Sequence, residues 1–221
     1  MDTPLILIGG SGHAKVLADA LLLAGRTVLG FVDPDSARPP LFGLPRLGGD
    51  EAVAAHQPSC VLLVNGIGSA VGTARRAEVY LRFRAEGYRF ASVVHPAAVL
   101  SPRASAADGA QIMAGALVQA GAVLGEDTIV NTGAIVDHDC VLDDHVHIAS
   151  GAVLCGAVRV GAGTHIGAGA TLLQGVVIGA HCLVGAGSVV LRDLPSGSRV
   201  AGVPARALRS VSPLSSAKTH S

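Results

Sequence analysis

An aliphatic residue recurs at every sixth position from Ile112 to Val190 without a break. The series reads Ile112, Val118, Leu124, Val130, Val136, Leu142, Ile148, Leu154, Val160, Ile166, Leu172, Ile178, Val184 and Val190. Two residues before each stands a small or modest side chain, among them Ala110, Ala116, Thr128, Cys140, Thr164 and Ser188. A period of six belongs neither to an α-helix nor to simple strand alternation. It is the signature of a parallel β-helix, in which each unit is one short strand plus a corner. No single coil can bury its own apolar positions, so they stack on those of the coils above and below. Composition agrees, since half the residues are apolar while only 3% are aromatic and none is Trp. Such an interior must be filled by Val, Ile, Leu and Ala.

The first part of the chain obeys another rule. Leu5-Ile6-Leu7-Ile8 is a short apolar run ending in Gly9-Gly10-Ser11-Gly12, which predicts a buried parallel strand and a tight turn. A helical pattern follows from His13 to Ala24, then a strand over Val28–Val32 closed by Asp33-Pro34. A third strand is expected over Cys60–Val64 and a second helix from Gly72 to Glu86. This βαβ alternation implies a small Rossmann-like parallel sheet covered by helices. The expected organisation is therefore α/β plus all-β: residues 1–92 a Rossmann-like domain, 93–208 the β-helix, and 209–221 a flexible Ser-rich tail.

Charge and hydropathy exclude several function classes. Lys plus Arg equals Asp plus Glu at 16 each, so no net field draws the chain to nucleic acid or to an anionic membrane. The most apolar early stretch, Val16 to Ala24, is interrupted by Asp19 and is too short to span a bilayer. A cytoplasmic protein without membrane insertion is expected. The cysteines Cys60, Cys140, Cys155 and Cys182 have no CxxC spacing and read as small apolar residues.

Chemistry concentrates at a few places. In Asn131-Thr132-Gly133-Ala134-Ile135-Val136-Asp137-His138-Asp139-Cys140, a histidine flanked by carboxylates sits just past an aliphatic core position, at a corner. A histidine titrates near neutral pH, and a paired carboxylate fixes its tautomer and raises its basicity, which suits a general base. Gly9-Gly10-Ser11-Gly12-His13 follows a strand and opens a helix, so its N–H groups can hold a pyrophosphate. As a dinucleotide fingerprint it is incomplete, because Lys15 occupies the third glycine position, which argues against a nicotinamide cofactor. Asp33 closes the second strand where an acidic side chain reaches ribose or base, and Asn65-Gly66-Ile67-Gly68-Ser69 forms another Gly-rich turn.

The repeat, together with Ala201-Gly202-Val203-Pro204-Ala205-Arg206 near its end, resembles the bacterial hexapeptide acyltransferases, whose left-handed β-helix turns once per three hexads. The whole chain is similar to their sialic acid O-acetyltransferase, bacillosamine N-acetyltransferase and perosamine N-acetyltransferase group. That resemblance implies an acetyl-CoA-dependent N-acetyltransferase acting on a UDP- or GDP-linked 4-amino-4,6-dideoxy sugar. It assigns His138 as base, Asp139 as the residue raising its basicity, and the Gly156 amide as oxyanion donor. His147, Ala168 and Ala186 would line the acetyl-CoA site, and Ser11, Gly12, His13, Asp33 and Gly68 the nucleotide-sugar site. Pro34 stands where some relatives carry a second acidic residue, which leaves uracil and guanine both open.

The resemblance further implies a homotrimer with CoA between subunits, and no metal. His147 and His165 lie eighteen residues apart, so they are expected one above the other on the outer face, with a zinc site as the minor reading. His165 and His181 are otherwise expected to be surface residues. Rival functions are O-acetylation of a sialic-acid-like sugar and a non-catalytic nucleotide-sugar scaffold.

Overall fold

The structure, a computed structural model, describes residues 2–69 and 72–208. The tail expected to be flexible, 209–221, lies outside the described residues.

The first part contains β1 (Leu5–Ile8), α1 (Gly12–Leu23), β2 (Val28–Val32), β3 (Arg46–Gly48), a 3₁₀ turn (Asp50–Ala55), β4 (Leu62–Asn65) and α2 (Ala74–Ala85). The four strands pair in the order β3-β2-β1-β4, all parallel. Every residue of β1 is buried because successive side chains feed two opposite cores. Leu5 and Leu7 pack with Leu17 and Leu21 of α1, whereas Ile6 and Ile8 pack with Val79, Tyr80 and Phe83 of α2. The third expected strand starts two residues later and ends one later, at Leu62–Asn65, since Cys60 is exposed in a turn. β3 has no sequence counterpart. Its three residues are all half-buried at the sheet edge, too few to show a period.

From Val93 onward the chain winds into a left-handed β-helix of three flat faces built from two- and three-residue strands. Face I includes Gln111–Ile112, Ile129–Val130, His147–Ile148, His165–Ile166 and Leu183–Val184. Face II includes Leu117–Val118, Ile135–Val136, Val153–Leu154 and Thr171–Leu172, and face III Val123–Leu124, Val141–Leu142 and Arg159–Val160. Each strand pairs in register with the one eighteen residues on, as in Ile148 with Ile166 and Val136 with Leu154. The six-residue series forms one continuous core, with Ile148, Leu154 and Ile166 fully buried.

A buried polar joint fastens the two parts together. Arg76 of α2 and Asp127 of the coils, 1% and 0% exposed, form an ion pair at 2.6 Å. Asn65 Nδ2 donates to Asp127 Oδ1 at 3.0 Å, and His145 Nδ1 lies 3.1 Å from Asp127 Oδ2. Tyr80 Oη donates to Glu126 at 2.8 Å and Thr73 Oγ1 to the Gly163 carbonyl at 2.8 Å. Met113 of the coils is itself part of the α1 core. A buried charge without its partner is costly, so this joint holds the sheet turns against face I in one arrangement.

Candidate active site

Two Gly-rich turns and the coils line an open cleft of about 580 Å³. The first turn links β1 to α1, and a Cβ on Gly10 would lie 2.6 Å from the Phe31 ring, so only glycine fits. Gly66 of the second turn is pressed against Ala14 in the same way, at 2.8 Å. Ser11, the N-cap of α1, makes no side-chain cap, leaving its hydroxyl and the first helical N–H groups for a ligand. Ser11, Gly12, His13 and Gly68 line the cleft together with Asn131, Thr132 and His147 from the coils. Asp33 does not line it. Its carboxylate accepts the N–H of Gly10 at 2.7 Å and that of Asp35 at 2.9 Å, and the residue is 6% exposed. Its visible work is to set the shape of the first turn.

A second cleft of about 460 Å³ runs along the neighbouring coils. His147, Ala168 and Ala186 line it, with Gly167 and Gly185 keeping the wall low enough for a long, thin ligand. Ser69, Asn131, His147 and Ser150 belong to both clefts, which therefore meet at His147.

Three histidines gather here. His147 and His165 are in register, with ring centroids 4.8 Å apart in a T-shaped contact. The expectation that His165 is a surface residue is corrected: it is 7% exposed and His147 5%, because the turn bearing Ser69 lies over them. His181 is exposed. Burial, and then the charge of His165, push the His147 imidazole down to about 2, so it is neutral at working pH. His13 is pushed down to about 4 by burial and by Arg76, against the raising effect of its 2.7 Å hydrogen bond to Gln111 Oε1. Among the described residues no three His, Cys, Asp or Glu side chains form a group able to hold a metal.

The base candidate occupies another edge. His138 and Asp139 sit at the corner between faces II and III, whereas Asn131, Thr132 and Ser150 sit between faces I and II. His138 Nδ1 is 2.8 Å from Asp139 Oδ2, and this hydrogen bond is the main cause that raises the imidazole above its ordinary value. Nε2 is thereby left as the free basic nitrogen. Asp139 has φ of 59°, taking a turn position that is glycine one coil earlier, at Gly121. The two coils next to the pair make room for it. A Cβ on Gly121 would lie 2.4 Å from Asp139 Oδ1, and a Cβ on Gly156 would lie 2.4 Å from His138 Nε2. Gly156 thus lies directly against the basic nitrogen. His138, Asp139 and Gly156 line neither cleft. One hexad separates the two edges, at most about 20 Å of extended chain. Within one chain the structure brings the base and its glycine together, and both sets of cleft residues together, but not the base with the clefts.

Comparison with known proteins adds the lineage. Residues 4–80 match the PglD N-terminal domain family and residues 157–192 the bacterial transferase hexapeptide (six repeats) family. The acetyltransferase domain of PglB from Neisseria gonorrhoeae FA1090 is 36% identical, with 94% of this chain and 100% of that one covered at a TM-score of 0.88. The chain belongs to the hexapeptide-repeat sugar acyltransferases. PerB from Caulobacter crescentus, solved with CoA and GDP-perosamine, is 38% identical over 93% of this chain and 97% of that one, with a TM-score of 0.87. WeeI from Acinetobacter baumannii AYE, 22% identical at a TM-score of 0.82, shares the fold. No match is found among curated proteins. None of the helices among the described residues is long and apolar enough to cross a membrane.

Sequence reasoning missed Ser69, Gln111 and the Arg76–Asp127 pair. It also missed a signal that was present: counting eighteen from His138 and back from Asp139 arrives at Gly156 and Gly121.

Proposed function

We propose that this family member transfers the acetyl group of acetyl-CoA to the amine of a nucleotide-linked 4-amino-4,6-dideoxy sugar. The acyl donor is acetyl-CoA, as its family membership and the CoA-bound relatives support. The sugar nucleotide takes the cleft of Ser11, Gly12, His13 and Gly68, with its phosphates at the uncapped start of α1. The pantetheine arm takes the cleft of His147, Ala168 and Ala186.

His138 Nε2 removes a proton from the sugar ammonium or from the attacking amine, and the Asp139 carboxylate stabilises the imidazolium that results. The new N–C bond forms as the nitrogen attacks the thioester carbon. The Gly156 N–H supports the tetrahedral oxyanion, the C–S bond breaks, and the CoA thiolate leaves with the proton delivered from His138. The observation that carries this reading is the His138–Asp139 pair resting on Gly156, a base with one fixed tautomer packed against a residue that has no side chain.

The same geometry favours a closed oligomer. The base stands one edge away from the clefts, so a sugar held in one copy meets the base of the next, and a trimer closes the ring.

Thiol release from acetyl-CoA with UDP- and GDP-linked 4-amino-4,6-dideoxy sugars tests the reading. Turnover with one of them, lowered 10²-fold or more in His138→Ala, is expected. Acetylation of sialic acids but of no amine would overturn it in favour of oxygen transfer.

A further inference from the structure

Ser69 closes the second Gly-rich turn, yet its hydroxyl reaches across to the coils. The order of donors there is fixed by elimination. Asn131 Oδ1 accepts the N–H of Thr132 at 2.8 Å, which turns Nδ2 toward His147. Nδ2 lies 3.2 Å from His147 Nε2. An amide NH₂ can only donate, so Nε2 is unprotonated and the ring proton resides on Nδ1. Nδ1 in turn is hydrogen bonded to Ser69 Oγ, which accepts that proton's bond. The hydroxyl hydrogen of Ser69 is then directed onward, with His165 Nδ1 3.4 Å away.

The turn that leads to Ser69 is itself held by buried donors. Arg76 Nη1 donates to the carbonyls of Asn65 at 3.0 Å and Ile67 at 2.9 Å, and Gln111 Nε2 donates to that of Asn65 at 2.8 Å. The turn that shapes the first cleft therefore also carries the acceptor for the histidine of the second.

We propose that Ser69 is a positioning residue: by accepting the Nδ1 proton it locks His147 in one tautomer and one orientation, and so couples the acyl-donor cleft to the turn of the sugar-nucleotide cleft. The inference rests on the assignment of the two clefts given above. With both ring nitrogens engaged inside the chain, His147 shapes the cleft through its ring edge, and its neutral state follows from its partners as well as from burial. Removing the hydroxyl takes the side-chain acceptor from a buried N–H and leaves only the Ser69 backbone beside it, so the ring is released to turn or change tautomer.

The test uses Ser69→Ala and Ser69→Thr in the full chain, read by ¹⁵N NMR of histidine-labelled protein and by calorimetric titration with CoA and with UDP and GDP. Wild type is expected to show a histidine locked as the Nδ1–H tautomer from pH 6 to 8, assigned to His147 by its loss in His147→Gln. Ser69→Ala should lose that signature and bind CoA about tenfold more weakly, roughly the effect of one hydrogen bond. Ser69 also lines the first cleft, so the nucleotide that binds should weaken too, but by less than CoA does, and Ser69→Thr should restore both readouts. An unchanged tautomer and CoA affinity in Ser69→Ala would overturn the proposal. Equal loss of CoA and nucleotide would overturn it too, as collapse of the turn. Neither readout needs turnover, so a protein that acetylates no amine would refute the proposed reaction while the tautomer still decides the role of Ser69.

Discussion

If the base of one copy serves the cleft of the next, two inactive proteins must regain activity when their chains are mixed. The first variant is His138→Ala, which removes the base and leaves both clefts intact. The second is Gly12→Trp. Gly12 lines the cleft proposed for the sugar nucleotide, and a Cβ there meets nothing within 4 Å, so an indole fills the cleft without disturbing the packing behind it. In a cyclic assembly each site takes its cleft from one chain and its base from the neighbour. A site works only when a His138→Ala chain is followed by a Gly12→Trp chain. Going round a trimer of two kinds of chain, that succession occurs once whatever the proportions, so every mixed trimer has one working site of three.

The expected activity is therefore about one third of wild type for mixed trimers isolated through two different tags, and about one quarter for an unfractionated equal mixture. The fraction also reads the assembly, because a mixed dimer would retain about one half. Co-expression, tandem purification and a thiol-release assay measure it directly, with each parent alone as the blank. Activity no higher than the parents', in oligomers shown to contain both chains, would mean that base and cleft serve each other within one chain.

Gly156→Ala should fold normally, since His138 is exposed and free to swing, but its Cβ displaces the basic nitrogen. A loss of kcat of about 10² to 10³ with little change in melting temperature is expected, and an active Gly156→Ala would refute the oxyanion and base geometry together. Asp139 raises the His138 pKa, so the base form appears only as pH rises above the ordinary histidine value. Asp139→Asn, which tolerates the same positive φ, should lower kcat and move the acid limb of the kcat/KM profile to lower pH; an unmoved limb would separate Asp139 from the titration. Arg76→Met leaves Asp127 buried without its cation and should cost about 3–5 kcal/mol, seen as a fall of about 10 °C in melting temperature. A fall below about 2 °C would show that the joint contributes little.

The β-helix was legible because its physics repeats: each hexad places one aliphatic residue inward, and Ile112 through Val190 state this with no exception. The Rossmann-like turns were legible from glycines that the packing of Phe31 and Ala14 makes obligatory. Other features have no period to betray them. Arg76, Asp127 and Gln111 are single polar residues whose meaning depends on a partner at 51 or 46 positions' distance along the chain. Asp33 stands where a ribose contact is expected, but local N–H groups at Gly10 and Asp35 claim its oxygens first. His165 looks like any outward residue of a strand until the turn of Ser69 is laid over it.

The solenoid also turns residue number into position. Residues that differ by eighteen stack along the axis, and residues that differ by six stand on successive edges. His138 and Gly156 therefore coincide in projection, while His147 lies nine residues from His138, half a turn round the prism. A rigid coil has no hinge by which such groups can approach, since every strand is fixed by the ones above and below. A reaction that needs both the base and the His147 cleft must then bring in a second surface. The surface that carries His138 already exists on an identical chain, and the proposed threefold assembly would present it to three clefts at once.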